Sequence, residues 1–275
     1  MNYLQELRKI YSPDESRAIY RLVMEECFGL NQTDTLLGKD KELSQDDKQK
    51  EEKIFIRLLS GEPVQYVLGY SVFCSHTFYV QSDVLIPRPE TEDLVERVCS
   101  SLPSSSSVLV IGTGSGCIAV SLALRGYCAT ATDISVKALD VARENAAHLG
   151  ADIRFLRAAI LHPCPSLERW DAIVSNPPYI CHSEASQMHS NVLCHEPHIA
   201  LFVPDDDPLL FYRAIAEYGT QHLCHGGNLF FEINRAYDCQ TIELLGNEGY
   251  TDVQVFKDRF GNNRIIQASY EGNQL

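Results

Sequence analysis

The run Ser107-Val108-Leu109-Val110-Ile111-Gly112-Thr113-Gly114-Ser115-Gly116 sets the reading of this chain. A short apolar strand over 107–111 leads straight into three glycines at alternate positions, and a helical pattern follows over 116–125. Glycine lets backbone approach a ligand closely, and a helix N-terminus offers free N–H groups to an anion. The spacing is G-x-G-x-G, not the G-x-G-x-x-G of dinucleotide enzymes. Taken alone, the run fits a tight strand-to-helix turn as well as a ligand cradle.

Downstream the same alternation repeats. Strands are expected over 127–132, 152–156, 171–175 and 228–233, and helices over 135–148, 208–218 and 237–247. Two strands over 252–256 and 264–269, joined at Gly261-Asn262, close the series. Repeated strand–helix units give an α/β fold with a mostly parallel sheet covered on both faces, the last hairpin adding an antiparallel strand. Ligands of such sheets sit beyond the carboxyl ends of the strands, where strand order reverses.

Upstream the pattern is different. Ser12-Pro13-Asp14-Glu15 starts a helix, with Ser12 as cap and Glu15 placed to close a capping box. Ile19, Leu22, Val23 and Cys27 follow at helical spacing, and Gly29 ends it. A second helix begins at Ser44 and stops at Gly61 and Pro63, and the charged stretch 31–50 is solvated. Between 64 and 86, strand formers such as Val64, Tyr66, Val67, Val72, Phe73, Phe78 and Tyr79 predict one or two hairpins. The expected domains are therefore a helical 1–62, a hairpin linker 63–87 and an α/β domain 88–275.

The chain has 275 residues, 45% of them apolar, and a formal charge of −14. That balance weakens a nucleic-acid reading, which usually needs a basic patch, and suits a basic protein partner better. Ten cysteines, Cys164 among them, form no C-x-x-C pair and are read as reduced, in a cytoplasmic protein. No apolar run is long enough to span a bilayer. His182, His189, His195 and His198 share a loop with Cys181 and Cys194, but without the paired spacing of zinc ligands; a polar loop over the site is expected, and no metal.

Two more features bear on chemistry. Asp133 ends the second strand 21 positions after Gly112. An acid there commonly accepts hydrogen bonds from ribose hydroxyls, although a helix N-cap ahead of Ser135 would look the same. Glycines and acid together favour an adenosine ligand. Asn176-Pro177-Pro178-Tyr179 follows the strand over 171–175. Each proline biases the preceding residue to extended backbone, so the loop is stiff. The Asn176 side-chain oxygen and the Pro177 carbonyl can then face one point and accept both hydrogens of an NH2 group. Tyr179 offers a flat face to a planar amide or base. An amide nitrogen is a poor nucleophile, and two acceptors raise its electron density and aim its lone pair at a sulfonium methyl. The bland alternative is a proline-rich turn.

With these motifs in place, the chain resembles the bacterial protein-(glutamine-N5) methyltransferases that modify peptide chain release factors. The resemblance runs through Pro63-Val64-Gln65-Tyr66-Val67-Leu68-Gly69, Leu85-Ile86-Pro87-Arg88-Pro89-Glu90-Thr91-Glu92, Val174 to Ile180, Glu196-Pro197, Glu232-Ile233 and Arg264. It implies a seven-stranded Rossmann-like methyltransferase domain behind a helical N-terminal domain and a hairpin linker. It implies transfer of methyl from S-adenosylmethionine to the glutamine of the Gly-Gly-Gln tripeptide in class I release factors, by a monomer with no direct nucleic-acid or membrane partner. By carry-over, Gly112, Thr113, Gly114, Ser115, Gly116, Asp133, Ile160 and Asn176 would bind the cofactor. Asn176, Pro177, Pro178 and Tyr179 would bind substrate, with Asn176, Pro177 and Tyr179 catalytic. The family usually carries acids where Val110 stands and within the stretch Leu156 to Ile160, where Ala159 lies. Their loss, if it leaves buried partners unpaired, costs about 1–3 kcal/mol each. Two other functions share parts of this pattern: methylation of adenine N6 in DNA, and a non-catalytic release-factor-binding protein.

Overall fold

The computed structural model describes residues 2–163 and 168–272; Cys164 lies outside them. The chain divides into two compact units. One comprises the residues up to Gly69 together with His189–His195, the other Tyr70–Met188 and the chain from Glu196 onward.

The first unit is helical, with helices Tyr3–Leu7, Pro13–Phe28, Gln32–Leu36, Gln45–Leu59, Val64–Leu68 and Ser190–His195. Ser12 accepts the Glu15 N–H at 3.3 Å, Pro13 opens the first turn, and Gly29 closes the helix at φ 66°. Ile19, Val23 and Met24 then meet Leu7, Phe55 and Leu58 in one core, and Tyr3 stacks on Phe55 at 4.3 Å. Replacing Ser12 by alanine is expected to destabilise this unit by about 1 kcal/mol. Urea unfolding of the full chain reads this as a lower midpoint with unchanged slope.

Val64–Leu68 is a helix, where strand formers had suggested a strand. Pro63 precedes its first turn, and Gly69 closes it in the left-handed region at φ 84°. Tyr66 is buried, and Val64, Val67 and Leu68 pack on the core of the first unit, which outweighs their strand propensity.

The second unit begins with a hairpin, β1 (Tyr70–Phe73) and β2 (His76–Tyr79), turned by Cys74 and Ser75 at φ 47° and 64°. The strands that follow are β3 (Ser107–Ile111), β4 (Cys128–Asp133), β5 (Arg154–Arg157), β6 (Trp170–Ser175), β7 (Ile180–Cys181), β8 (Phe202–Val203), β9 (Leu223–Glu232), β10 (Thr251–Lys257) and β11 (Asn263–Tyr270). Seven of them form one sheet in the order β10-β11-β9-β6-β3-β4-β5. β9, β6, β3, β4 and β5 run parallel, and β11 is antiparallel to both its neighbours. The β10–β11 pairing is irregular at two places, between Thr251 and Gln254 and between Phe256 and Lys257. The chain moves outward through β4 and β5 on one side of β3 and through β6 and β9 on the other. The order therefore reverses between β3 and β6, the position that ligands favour in such sheets.

Helices cover both faces. Val108, Val110 and Phe230 join Leu94, Val95 and Val98 on one face, while Leu109, Ile111, Ile173 and Phe231 join Tyr212 and Ile215 on the other. Val110 is fully buried in that apolar layer. The helix Pro89–Ser101 has no counterpart in the sequence reading. Its acidic start, Pro89-Glu90-Thr91-Glu92, hides an apolar face of Leu94, Val95 and Val98 that only shows once the sheet is in place.

Candidate active site

The carboxyl ends of β4, β3 and β6 lie side by side. Ile111 pairs with Thr132 on one flank and with Ser175 on the other. Sheet register alone thus brings together Gly112, which follows β3, Asp133, which ends β4, and Asn176, which follows β6. Ser175 fastens the last pair, its hydroxyl donating to the Ile111 carbonyl at 2.8 Å.

The glycine loop turns sharply. Gly112, Gly114 and Gly116 have φ of 73°, 55° and 85°, conformations that side chains rarely adopt. Gly116 has a second reason to be glycine: a Cβ there would lie 3.0 Å from the Ala142 Cβ of the helix Val136–Leu149. The same helix supplies Asn145, fully buried, which donates to the Ser115 carbonyl at 2.8 Å and the Tyr79 carbonyl at 3.0 Å. Asn145 also accepts the Tyr79 N–H at 2.7 Å, so one amide ties the loop to the hairpin. Inside the loop, the buried Thr113 hydroxyl has no hydrogen-bond partner among the described residues, while the Ser115 hydroxyl meets the Cys117 thiol.

Asp133 braces the loop from beside it. One carboxylate oxygen accepts the Gly114 N–H and the other the Ser135 N–H, both at 2.9 Å. Burial raises its pKa, partly offset by those N–H groups. The helix cap is Ser135, which accepts the Ala138 N–H, so Asp133 is not itself the cap. Each Asp133 oxygen keeps a lone pair for a further donor. Ile160 sits beyond β5 at the same edge, part-buried against the core that includes Tyr212 and Ile215, where the Ala158 N–H donates to the Asp133 carbonyl. A cleft lined by Ile160, Leu161, Arg213 and Tyr218 opens beside that loop, and of the predicted site residues it takes in Ile160 alone.

Asn176 to Tyr179 is anchored from behind by residues that the sequence reading gave no role. The Asn176 amide nitrogen donates to the Thr91 hydroxyl at 3.2 Å. Thr91 donates to Glu232 at 2.7 Å, and the Tyr179 hydroxyl donates to the other Glu232 oxygen at 3.2 Å. Glu232 is 2% exposed, and burial raises its pKa. Burial and Glu232 together also push the Tyr179 hydroxyl well above its usual range, so the phenol keeps its proton. Asn234 holds the Tyr179 carbonyl at 3.1 Å, and the short β7–β8 pairing fixes the loop's exit. A lone acid inside the apolar run Leu229-Phe230-Phe231-Glu232-Ile233 was the signal available in the sequence.

The stretch that delivers Thr91 is pinned as well. Buried Glu196 accepts the Ile86 N–H at 3.2 Å and the Arg88 guanidinium at 2.5 Å. The histidines of the loop part company: His182 and His198 contact the Phe202 ring, whereas His189 and His195 belong to the first unit.

Comparison with known proteins identifies the lineage. Residues 2–69 match the PrmC N-terminal domain, and residues 71–201 match the methyltransferase small domain. A release factor glutamine methyltransferase of Bacteroides thetaiotaomicron is 44% identical over 269 residues, covering 96% of this chain and 96% of its own. This chain belongs to the release factor glutamine methyltransferase family. A second member, from Flavobacterium psychrophilum, is 40% identical over 275 residues, covering 98% of this chain and 96% of its own. A methyltransferase from Pyrococcus furiosus shares the fold, with a TM-score of 0.54 at 16% identity over 82% of this chain and 98% of its own. In this release factor glutamine methyltransferase family member, Val110 stands in the apolar layer of the sheet, where its side chain meets apolar neighbours.

Proposed function

We propose that this protein transfers the methyl group of S-adenosylmethionine to the side-chain amide nitrogen, N5, of the glutamine in the Gly-Gly-Gln tripeptide of class I release factors. The observation that carries the reading is the state of Asn176. Its amide nitrogen is committed to Thr91, which leaves its oxygen as an acceptor at the edge of the sheet beside the glycine loop.

The cofactor, when bound, supplies an electrophilic sulfonium methyl. The residues around the switch point suit it: the glycine loop leaves room for backbone contact, the buried Thr113 hydroxyl has no partner among the described residues, and Asp133 has lone pairs for ribose hydroxyls. In this reading Gly112 to Gly116 and Asp133 hold the nucleoside, and Ile160 packs on the adenine. Asn176 and the Pro177 carbonyl accept the two hydrogens of the substrate amide and direct its lone pair. Tyr179, its hydroxyl held by Glu232, presents a ring to the amide plane. The domains divide accordingly: 1–62 recognises the release factor outside the tripeptide, which alone offers little surface, 63–87 links, and 88–275 catalyses. The enzyme works as a monomer on a protein substrate in the cytoplasm. Among the described residues no helix is long and apolar enough to cross a membrane.

The test is mass spectrometry of folded, unmodified release factor after incubation with the protein and S-adenosylmethionine. The expected result is a gain of one methyl on the tripeptide glutamine. No gain on the factor, or label on bare DNA instead, overturns the reading.

A further inference from the structure

We propose that Thr91 and Glu232 are positioning residues that set which end of the Asn176 amide faces the substrate. The proposal rests on the reading of Asn176 as the acceptor for the glutamine NH2. The oxygen and nitrogen of an amide are nearly the same size, so packing does not choose between them. Only hydrogen bonds do, and here they run one way. Both Glu232 oxygens act as acceptors, one for the Thr91 hydroxyl and the other for the Tyr179 hydroxyl. Glu232 therefore takes the single Thr91 hydroxyl proton at 2.7 Å, and the Thr91 oxygen is left with lone pairs alone toward Asn176. The group that meets it at 3.2 Å must be a donor, the amide nitrogen. The amide oxygen then points the other way. Reversing the amide would set two acceptors against each other.

The same carboxylate orients the second member of the loop. Its remaining oxygen takes the Tyr179 hydroxyl proton at 3.2 Å, so Asn176 and Tyr179 are both oriented by one buried group. That group is costly to keep. Glu232 is 2% exposed, and the nearby Arg264 spends its side-chain hydrogen bonds on Asp258 at 3.3 Å and the Ile233 carbonyl at 3.3 Å. The Arg264 charge eases that cost in part, and Glu90 adds to it. A buried acid kept without a direct ion pair among the described residues, bonded to a loop at the strand ends, marks a site arranged for function rather than for stability.

Three single variants, one double variant and one spectrum test this. Thr91→Val keeps the shape of the side chain and removes its acceptor; kcat is expected to fall about 10- to 100-fold, with KM for the release factor near the wild-type value. Thr91→Ser restores the acceptor and should recover kcat to within about threefold of wild type. Glu232→Gln can donate to Thr91, which frees the amide to reverse, and should lower kcat as Thr91→Val does; the double variant should be no worse than the poorer single one. In 15N–1H spectra, the Asn176 side-chain NH2 should be protected from exchange in the wild type and exposed in Thr91→Val, a readout independent of turnover. If the wild type transfers no methyl, the functional reading fails while this spectrum still judges the amide. Wild-type kcat in Thr91→Val, or equal losses in Thr91→Val and Thr91→Ser with lowered Tm, would overturn the proposal.

Discussion

Replacing Asn176 by alanine should lower kcat for methyl transfer by about 100- to 1,000-fold, the range found when one oriented polar group is removed from a reacting centre. In the function proposed above, the amide oxygen is one of two acceptors for the substrate nitrogen, the other being the Pro177 carbonyl. Without it the glutamine NH2 can rotate, and the lone pair spends most of its time off the line of attack. Stability should change little. Asn176 is only part-buried, and the hydrogen bond it makes with Thr91 ends at a hydroxyl still held by Glu232. The measurement is steady-state transfer of labelled methyl to the release factor, alongside calorimetric binding of S-adenosylmethionine. Activity within tenfold of wild type would remove Asn176 from the mechanism. Asn176→Asp sharpens the comparison. It keeps an acceptor but loses the donor that meets Thr91, and it places a second carboxylate near Glu232. It too should be nearly inactive.

Gly116→Ala should be the most damaging single methyl group that can be added to the loop. Two terms add. The residue sits at φ 85°, where an L side chain costs about 1–2 kcal/mol. The new Cβ would also lie 3.0 Å from the Ala142 Cβ and 3.2 Å from its Cα, so backbone must move, at about 1–3 kcal/mol. A combined loss of about 2–5 kcal/mol lowers Tm by roughly 5–20 °C for a chain of this size. Cofactor binding should weaken with it, because the loop and the helix Val136–Leu149 must separate. Gly114→Ala is the control. It shares the positive φ, at 55°, but beyond its chain neighbours no heavy atom of the described residues lies within 4 Å of its Cβ, so only the backbone term applies. Equal Tm values for the two variants would show that contact with Ala142 does not matter.

These variants also mark what could be read from the sequence. β3, β4 and β6 were legible because each is a short apolar run bounded by glycine, aspartate or Asn-Pro. The glycine loop, Asp133 and Asn176 to Tyr179 were legible because each is local: a few adjacent residues carry the geometry. The pairing of Thr91 with Glu232 was not, since 141 positions separate them and only the fold brings them together. The helix Pro89–Ser101 was hidden by its charged first turn, and Val64–Leu68 by side chains with strand propensity that a neighbouring core captured. Val110 looked like a missing polar partner; the sheet places it among apolar side chains, where valine is at home.

The two outer strands of the sheet bear on how this protein keeps its own company. β5 is four residues long and begins and ends in arginine. β10 is irregular twice, carries Asp252 at φ 47°, and ends at Lys257. Short, charged or kinked borders are poor templates for a foreign strand. The sheet therefore offers no straight margin on which another chain could continue the ladder, which guards against fibrous self-association. At this sheet a partner is met by side chains and loops rather than by borrowed backbone.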